Sequence, residues 1–308
     1  MELSTLLGKM LVFAVLMLIG YLMARRGAIG PAFTRTASSL VLNVFMVGTI
    51  LNSMISTGAE RDLSNLPEII LMTFMMTLIG YATAWLVTRL VRIEPANAPS
   101  FEILMGVGNS MFIALPIAGA LYGAYAVFIV SLSCIPFNVF LYSYGVWRIR
   151  GTESGKLRVK DMFSIPLIAT LLGLLILVLD LSVPKVIVDI FSSLSGATMP
   201  MSMMVIGASL GSVSLLDAFR NPKLAILSAV RLILIPILTW VICRFLTDDP
   251  VLLMTCMIIA ASPSAVIVSV IAIQYGRDGV FASEAVQHST ICSIVTIPLL
   301  IQLFSGIG

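Results

Sequence analysis

Ten apolar stretches, each long enough to cross a bilayer, take up almost all of the 308 residues. They run over about 5–24, 34–56, 68–88, 100–121, 124–147, 162–181, 186–213, 222–245, 251–274 and 279–304. A helix needs roughly 20 apolar residues to span ~30 Å of hydrocarbon. Ten spans joined by short loops therefore use up the length without a soluble domain. Transmembrane β-strands are excluded, because the stretches lack a two-residue alternation and are too long. Charged residues make up 11% and hydrophobic ones 59%, whereas a soluble domain carries about a quarter charged residues. Lipid must be the main solvent. The first stretch is read as a span rather than a leader peptide, because Arg25 and Arg26 follow its apolar run instead of preceding it.

The loops set the expected orientation. Odd-numbered loops hold Arg25, Arg26, Arg35, Arg89, Arg92, Arg148, Arg150, Lys156, Arg158, Lys160, Arg220, Lys223 and Arg277, while even loops and the ends hold only Lys9, Arg61, Lys185 and Arg244. The positive-inside rule then puts odd loops in the cytoplasm and both termini outside, in the periplasm of a bacterial inner membrane. The net charge of +3 thus has a topological meaning and is no nucleic-acid signal. Cys134, Cys243, Cys256 and Cys292 sit in or at the ends of apolar stretches, with no metal-site or disulfide spacing. The 18 methionines are scattered without a paired ladder, as expected of adaptable packing residues.

A shift of 153 residues lays Tyr122-Gly123 on Tyr275-Gly276, Val127-Phe128 on Val280-Phe281 and Met46 on Met199, without gaps over three segments. Each half, 1–150 and 151–308, then has five spans, so the second enters from the opposite face: an all-α membrane protein of ten helices in a 5+5 inverted repeat. The basic loop 148–160 is read as the joint between the halves.

Two segments break at matching places. Segment 4 reads Gly106-Val107-Gly108-Asn109-Ser110-Met111-Phe112-Ile113-Ala114-Leu115-Pro116, and segment 9 reads Ala261-Ser262-Pro263-Ser264-Ala265. Under the shift Asn109 faces Ser262, and Ser110 faces Pro263. Broken backbone in hydrocarbon leaves polar groups unpaired at several kcal/mol each, unless protein or a polar cavity satisfies them. Paired breaks in inverted halves point to a transporter's site. Half-helix N-termini there offer N–H donors and partial positive charge, which suit an anion such as a carboxylate. Gly and Pro are also ordinary in membrane helices; the shared register is what favours a site.

The run Gly108-Asn109-x-x-Phe112-Ile113-x-Leu115-Pro116 resembles the fourth-helix motif of the auxin efflux carrier family, which includes bacterial permeases and plant PIN proteins. Asn138-Val139-Phe140-Leu141-Tyr142-Ser143-Tyr144-Gly145-Val146-Trp147 is similar to the same family. So are Ser262-Pro263-Ser264-Ala265, Tyr275-Gly276-Arg277-Asp278, Ser289-Thr290 and Pro298. The resemblance implies ten spans in two inverted halves, with helices 4 and 9 crossing at the site. It implies a scaffold of helices 1, 2, 6 and 7, a mobile transport unit of helices 3–5 and 8–10, and small organic acids as substrates, auxin-like or dicarboxylate. The chain departs from the family at Val47-Gly48, where a proline is common, although Pro200 stands in helix 7.

Charges at membrane depth are costly and usually functional. Arg231, about ten residues into segment 8, is either a structural charge, a counter-charge for an anionic substrate, or a stand-in for a coupling cation. Glu284 and His288 lie four apart on one face of segment 10, either as proton carriers or as a polar pair tying the helix to the bundle. Glu102 reads as an interfacial or capping residue. Asn109, Ser110, Asn138, Tyr142, Ser262, Pro263, Ser264 and His288 are the expected substrate contacts, with Gly108, Pro116 and Pro263 shaping the crossover.

The expected function is secondary transport of a small organic anion by alternating access. H+ or Na+ coupling and a homodimer are left open. Neither cofactor nor metal is expected. A channel or sensor on the same fold is an alternative. So is a cation or proton antiporter, although acidic residues would then be expected at the crossover. One histidine, no HExxH and no paired intramembrane Asp argue against an enzyme.

Overall fold

The computed structural model describes residues 3–58, 65–151, 163–211 and 221–305. It is helical throughout: among the described residues there is no strand, and the sole extended pairing is an isolated bridge. The helices are α1 (Leu3–Arg25), α2 (Pro31–Ser56), α3 (Leu66–Leu90), α4 (Ala98–Gly106), α5 (Ser110–Tyr122), α6 (Ala124–Arg150), α7 (Ile165–Val178), α8 (Lys185–Gly211), α9 (Pro222–Cys243), α10 (Pro250–Ala260), α11 (Val266–Gln274) and α12 (Gly279–Ser305). Seven of them, namely α1, α2, α3, α6, α8, α9 and α12, are long and apolar enough to cross a membrane. The protein is an all-helical, multi-pass membrane protein. Segments 4 and 9 each become two shorter helices, α4–α5 and α10–α11. Segment 6 becomes α7, whose 14 residues extend about 21 Å. The basic loop read as a joint falls mostly outside the described residues.

Local sequence explains where helices start. Ser164, Asn221 and Asp249 each accept a hydrogen bond from a first-turn N–H, and each is followed within two residues by proline. A polar cap satisfies an orphan donor, and proline has no N–H to orphan. Asp278 does the same for α12, accepting from Val280 and Phe281 N–H at 3.0 Å each. Inside two helices, a five-residue π turn ends two residues before a proline: Ser110–Ala114 before Pro116, and Val230–Leu234 before Pro236. Proline removes the donor that the carbonyl four residues earlier would use, so the ladder widens locally.

The chain forms two compact units. The first gathers Met1–Ile70, Met111–Cys134 and Ser164–Val213, so α1, α2, α7 and α8 lie wholly within it. Glycines let its helices touch. A Cβ on Gly20 or Gly207 would fall on the carbonyl of Met204 or Met17, and one on Gly211 would lie 2.7 Å from the Tyr21 carbonyl. Gly207 and Gly211, four apart on α8, thus make a small-residue seam against α1, the usual solution where lipid removes any hydrophobic drive between helices. Gly48 plays this part between α2 and Leu194 of α8, and Gly173 between α7 and Met54. Thr49 and Thr198 join α2 to α8 by a 2.6 Å hydrogen bond between their hydroxyls. Away from these seams α1 is apolar and open, with Leu11 65% exposed, as a lipid-facing helix must be.

The second unit gathers Leu71–Ser110, Ile135–Phe163 and Ser214–Gly308. Its centre is α4, where Phe101, Ile103, Leu104 and Met105 are fully buried. Tyr81 of α3 stacks on Phe140 of α6 at 5.5 Å and meets Tyr144 edge-on at 5.7 Å. Glu102 does not cap the helix. It is 2% exposed, accepts from Arg148 Nε at 3.0 Å and also accepts from the Tyr144 hydroxyl. A carboxylate there is tolerable because both partners donate to it.

Candidate functional site

The two breaks meet inside the second unit. After Gly106 the backbone of Val107 turns extended (φ −111°, ψ 117°), and after α10 that of Ala265 does likewise (φ −75°, ψ 129°). The two extended pieces cross antiparallel, with Gly108 bridged to Ser264. Asn109 N–H donates to the Pro263 carbonyl at 2.7 Å, and Ala265 N–H donates to the Val107 carbonyl at 3.0 Å. Ser264 N–H donates to Ser289 Oγ of α12 at 3.1 Å. Three backbone donors released by the breaks are therefore satisfied within the crossing, which is how broken backbone survives in hydrocarbon. Ser264 Oγ is buried, with no hydrogen-bond partner among the described residues.

Arg231 reaches this crossing from the π turn of α9. Its Nε donates to the Ser262 carbonyl at 2.8 Å, Nη1 to the Gly106 carbonyl at 3.3 Å, and Nη2 to the Ile259 carbonyl and to Ser262 Oγ at 3.4 Å each. Glycines leave the room. A Cβ on Gly108 would fall on Nη2 and on Ser262 Oγ, and one on Gly80 would lie 3.0 Å from the Gly106 carbonyl. Ser262 Oγ in turn donates to the Ile259 carbonyl at 2.6 Å.

Of the residues singled out in the sequence, Gly108, Asn109, Ser262, Pro263, Ser264 and Arg231 come together here, with Ser110 buried at the start of α5. Asn138 is buried on α6, and Tyr142 is half-buried one turn later in a π turn. His288 is buried on α12 and shares a 2.6 Å hydrogen bond between Nδ1 and Ser228 Oγ of α9. Glu284 is half-buried one turn before it. Sequence reasoning missed Ser228, and it cited Ser289 only for its resemblance to the family.

Pro116 belongs instead to the first unit, where it lines a cavity of about 310 Å³. The polar lining is Thr49, Asn52 and Ser53 of α2 with Ser195 and Thr198 of α8; Leu115, Val127 and Met199 supply apolar wall. Among the described residues no charged side chain lines it. At its edge Ala120, near the end of α5, gives its carbonyl to Lys9 Nζ of α1, a cation placed at a helix C-terminus. These polar positions also escaped sequence reasoning, although Thr49, Asn52 and Ser53 show the three-and-four spacing of one helix face.

A chain with broken, crossing helices and a polar cavity among membrane spans has the features of a transporter, and comparison with known proteins agrees. The family profile described as membrane transport protein matches residues 5–160 and 154–301. A protein of Methanothermobacter thermautotrophicus described as an uncharacterized transporter is 25% identical over 290 residues, 92% of this chain and 94% of the relative. The chain belongs to the membrane transport protein family, that is, the auxin efflux carrier family.

Proposed function

We propose that this protein is a secondary transporter that moves a small organic anion across the inner membrane by alternating access. It would do so with ten spans in two inverted halves, 1–150 and 151–308, and both termini in the periplasm. The observation that carries this reading is the antiparallel crossing of two broken helices at Gly108 and Ser264, a feature that membrane helices tolerate chiefly at transport sites. The helices α5 and α11 both begin at the crossing, so their N-terminal ends, with partial positive charge, point there. Among the described residues no carboxylate takes part in the crossing or lines the cavity, which favours an anion there. Asn109, Ser110 and Ser264 are the side chains proposed to touch substrate, with Asn138, Tyr142 and His288 in support. The cavity of the first unit offers a hydroxyl- and amide-lined path for a solute of modest size.

The fixed frame would be spans 1, 2, 6 and 7, all of which fall in the first compact unit, and the moving part spans 3–5 and 8–10. Spans 4 and 5 are divided between the units.

The test is uptake into proteoliposomes from a panel of mono- and dicarboxylates, including indole acids. One saturable substrate is expected, with Asn109→Ala weakening its binding about tenfold, or ~1.4 kcal/mol. Uptake of no organic anion under any gradient, or an Asn109→Ala variant with unchanged affinity, refutes the reading.

A further inference from the structure

Arg231 is 3% exposed, and what surrounds its guanidinium is one kind of atom. Three main-chain carbonyls and one serine hydroxyl accept its hydrogen bonds. Among the described residues no carboxylate pairs with it; the ion pairs are Arg148–Glu102 and Lys223–Glu94. A buried cation without a counter-anion must be held by dipoles. These dipoles are the right ones. Gly106 is the last residue of α4, Ile259 lies in the last turn of α10, and Ser262 lies just beyond it. The closing carbonyls of a helix are unpaired and carry the negative end of its dipole.

Two helix C-termini and a hydroxyl, converging on one point, form an all-oxygen ligand set. Such oxygens suit a hard cation, and half-helix carbonyl ends are where transporters hold coupling ions. We propose that Arg231 is a tethered cation: its guanidinium permanently fills a cation site made by the ends of α4 and α10, so the crossing takes no exchangeable Na+. Four of the five guanidinium N–H groups are already engaged by the chain, so the side chain is spent on the helix ends and not on an anionic substrate. The seat is shaped for it, since a methyl group on Gly108 would occupy the place of Nη2.

The consequence for coupling rests on the transporter reading; the cation site itself does not, and it is tested separately by thermal unfolding of the detergent-solubilised protein. Wild type is expected to melt at one temperature in equal concentrations of NaCl, LiCl, KCl and choline chloride. Arg231→Ala is expected to melt lower in choline, and to regain several degrees saturably with Na+, Li+ or guanidinium as a free cation re-enters the oxygen cage. Arg231→Gln, which keeps a polar side chain but no charge, is expected to respond as Arg231→Ala does. A wild type stabilised by Na+ over choline overturns the proposal. So do neutral variants that ignore every cation. In proteoliposomes, uptake by wild type should be the same with and without a Na+ gradient. Absence of any uptake would sink the transporter reading while leaving the melting result to stand on its own.

Discussion

Replacing Gly108 by alanine adds one methyl group at the most crowded point of the crossing. The backbone at 108 has no positive φ, so alanine fits the chain itself and would add about 0.4–1 kcal/mol by restricting the unfolded state. The new Cβ, however, falls on Arg231 Nη2 and lies 2.8 Å from Cζ. The guanidinium must move, and at least its two Nη2 hydrogen bonds go. At the low end of ~1.5–3 kcal/mol for a bond to a charged group, that loss is about 3 kcal/mol. Overpacking adds ~1–3 kcal/mol. The net loss comes to about 3–6 kcal/mol, or roughly 6–24 °C in Tm at ~2–4 °C per kcal/mol. Tryptophan fluorescence during heating in detergent reads it. Gly8→Ala, in α1 with no atom within 4 Å of the new methyl, is the control and should hold stability or raise it by up to ~1 kcal/mol. The same alanine in an Arg231→Ala background should cost much less, because two of the three nearest atoms to the new methyl belong to the Arg231 guanidinium. A Gly108→Ala protein as stable as wild type, or one equally destabilised with and without Arg231, refutes the reasoning.

Gly207→Leu should cost ~1–3 kcal/mol by pushing α8 off the Met17 carbonyl of α1, whereas Gly196→Ala on the same helix, with nothing within 4 Å, should not lower Tm; equal melting of the two would dismiss the glycine seam. Glu102→Gln keeps the shape but removes the charge facing Arg148, and should cost about 1–3 kcal/mol. Adding Arg148→Gln should recover part of that loss in a double-mutant cycle, and strict additivity would show that the pair is not coupled.

Much of the architecture is legible because bilayer crossing is a local demand. A run such as Leu66–Leu90 announces itself by hydrophobicity, and Asn221-Pro222 and Asp249-Pro250 announce helix starts by cap chemistry. The breaks were placed within a few residues because Gly108, Asn109 and Pro263 are themselves the cause of the break. What joins the breaks was not legible. Arg231 finds the Gly106 carbonyl 125 residues away in the chain, and hydrophobicity carries no record of which oxygens a buried guanidinium selects. Glu102 misled for the same reason: its partners Tyr144 and Arg148 lie on another helix, so its position early in α4 suggested capping. Segment 6, expected over 162–181, was apolar enough to read as a full span, whereas its helix holds 14 residues. Apolar composition measures affinity for lipid, not whether the hydrogen-bond ladder runs unbroken.

The glycine seam between α1 and α8 also sets an order of events. Gly20 precedes Met204, the α8 residue whose backbone it touches, by 204 − 20 = 184 residues. At about 5–20 residues per second the wait is roughly 10–40 s. For that time the patch around Gly20 lacks its α8 partner. The glycine face of α1 is thus a docking surface kept waiting for its α8 partner while the helices between them are made.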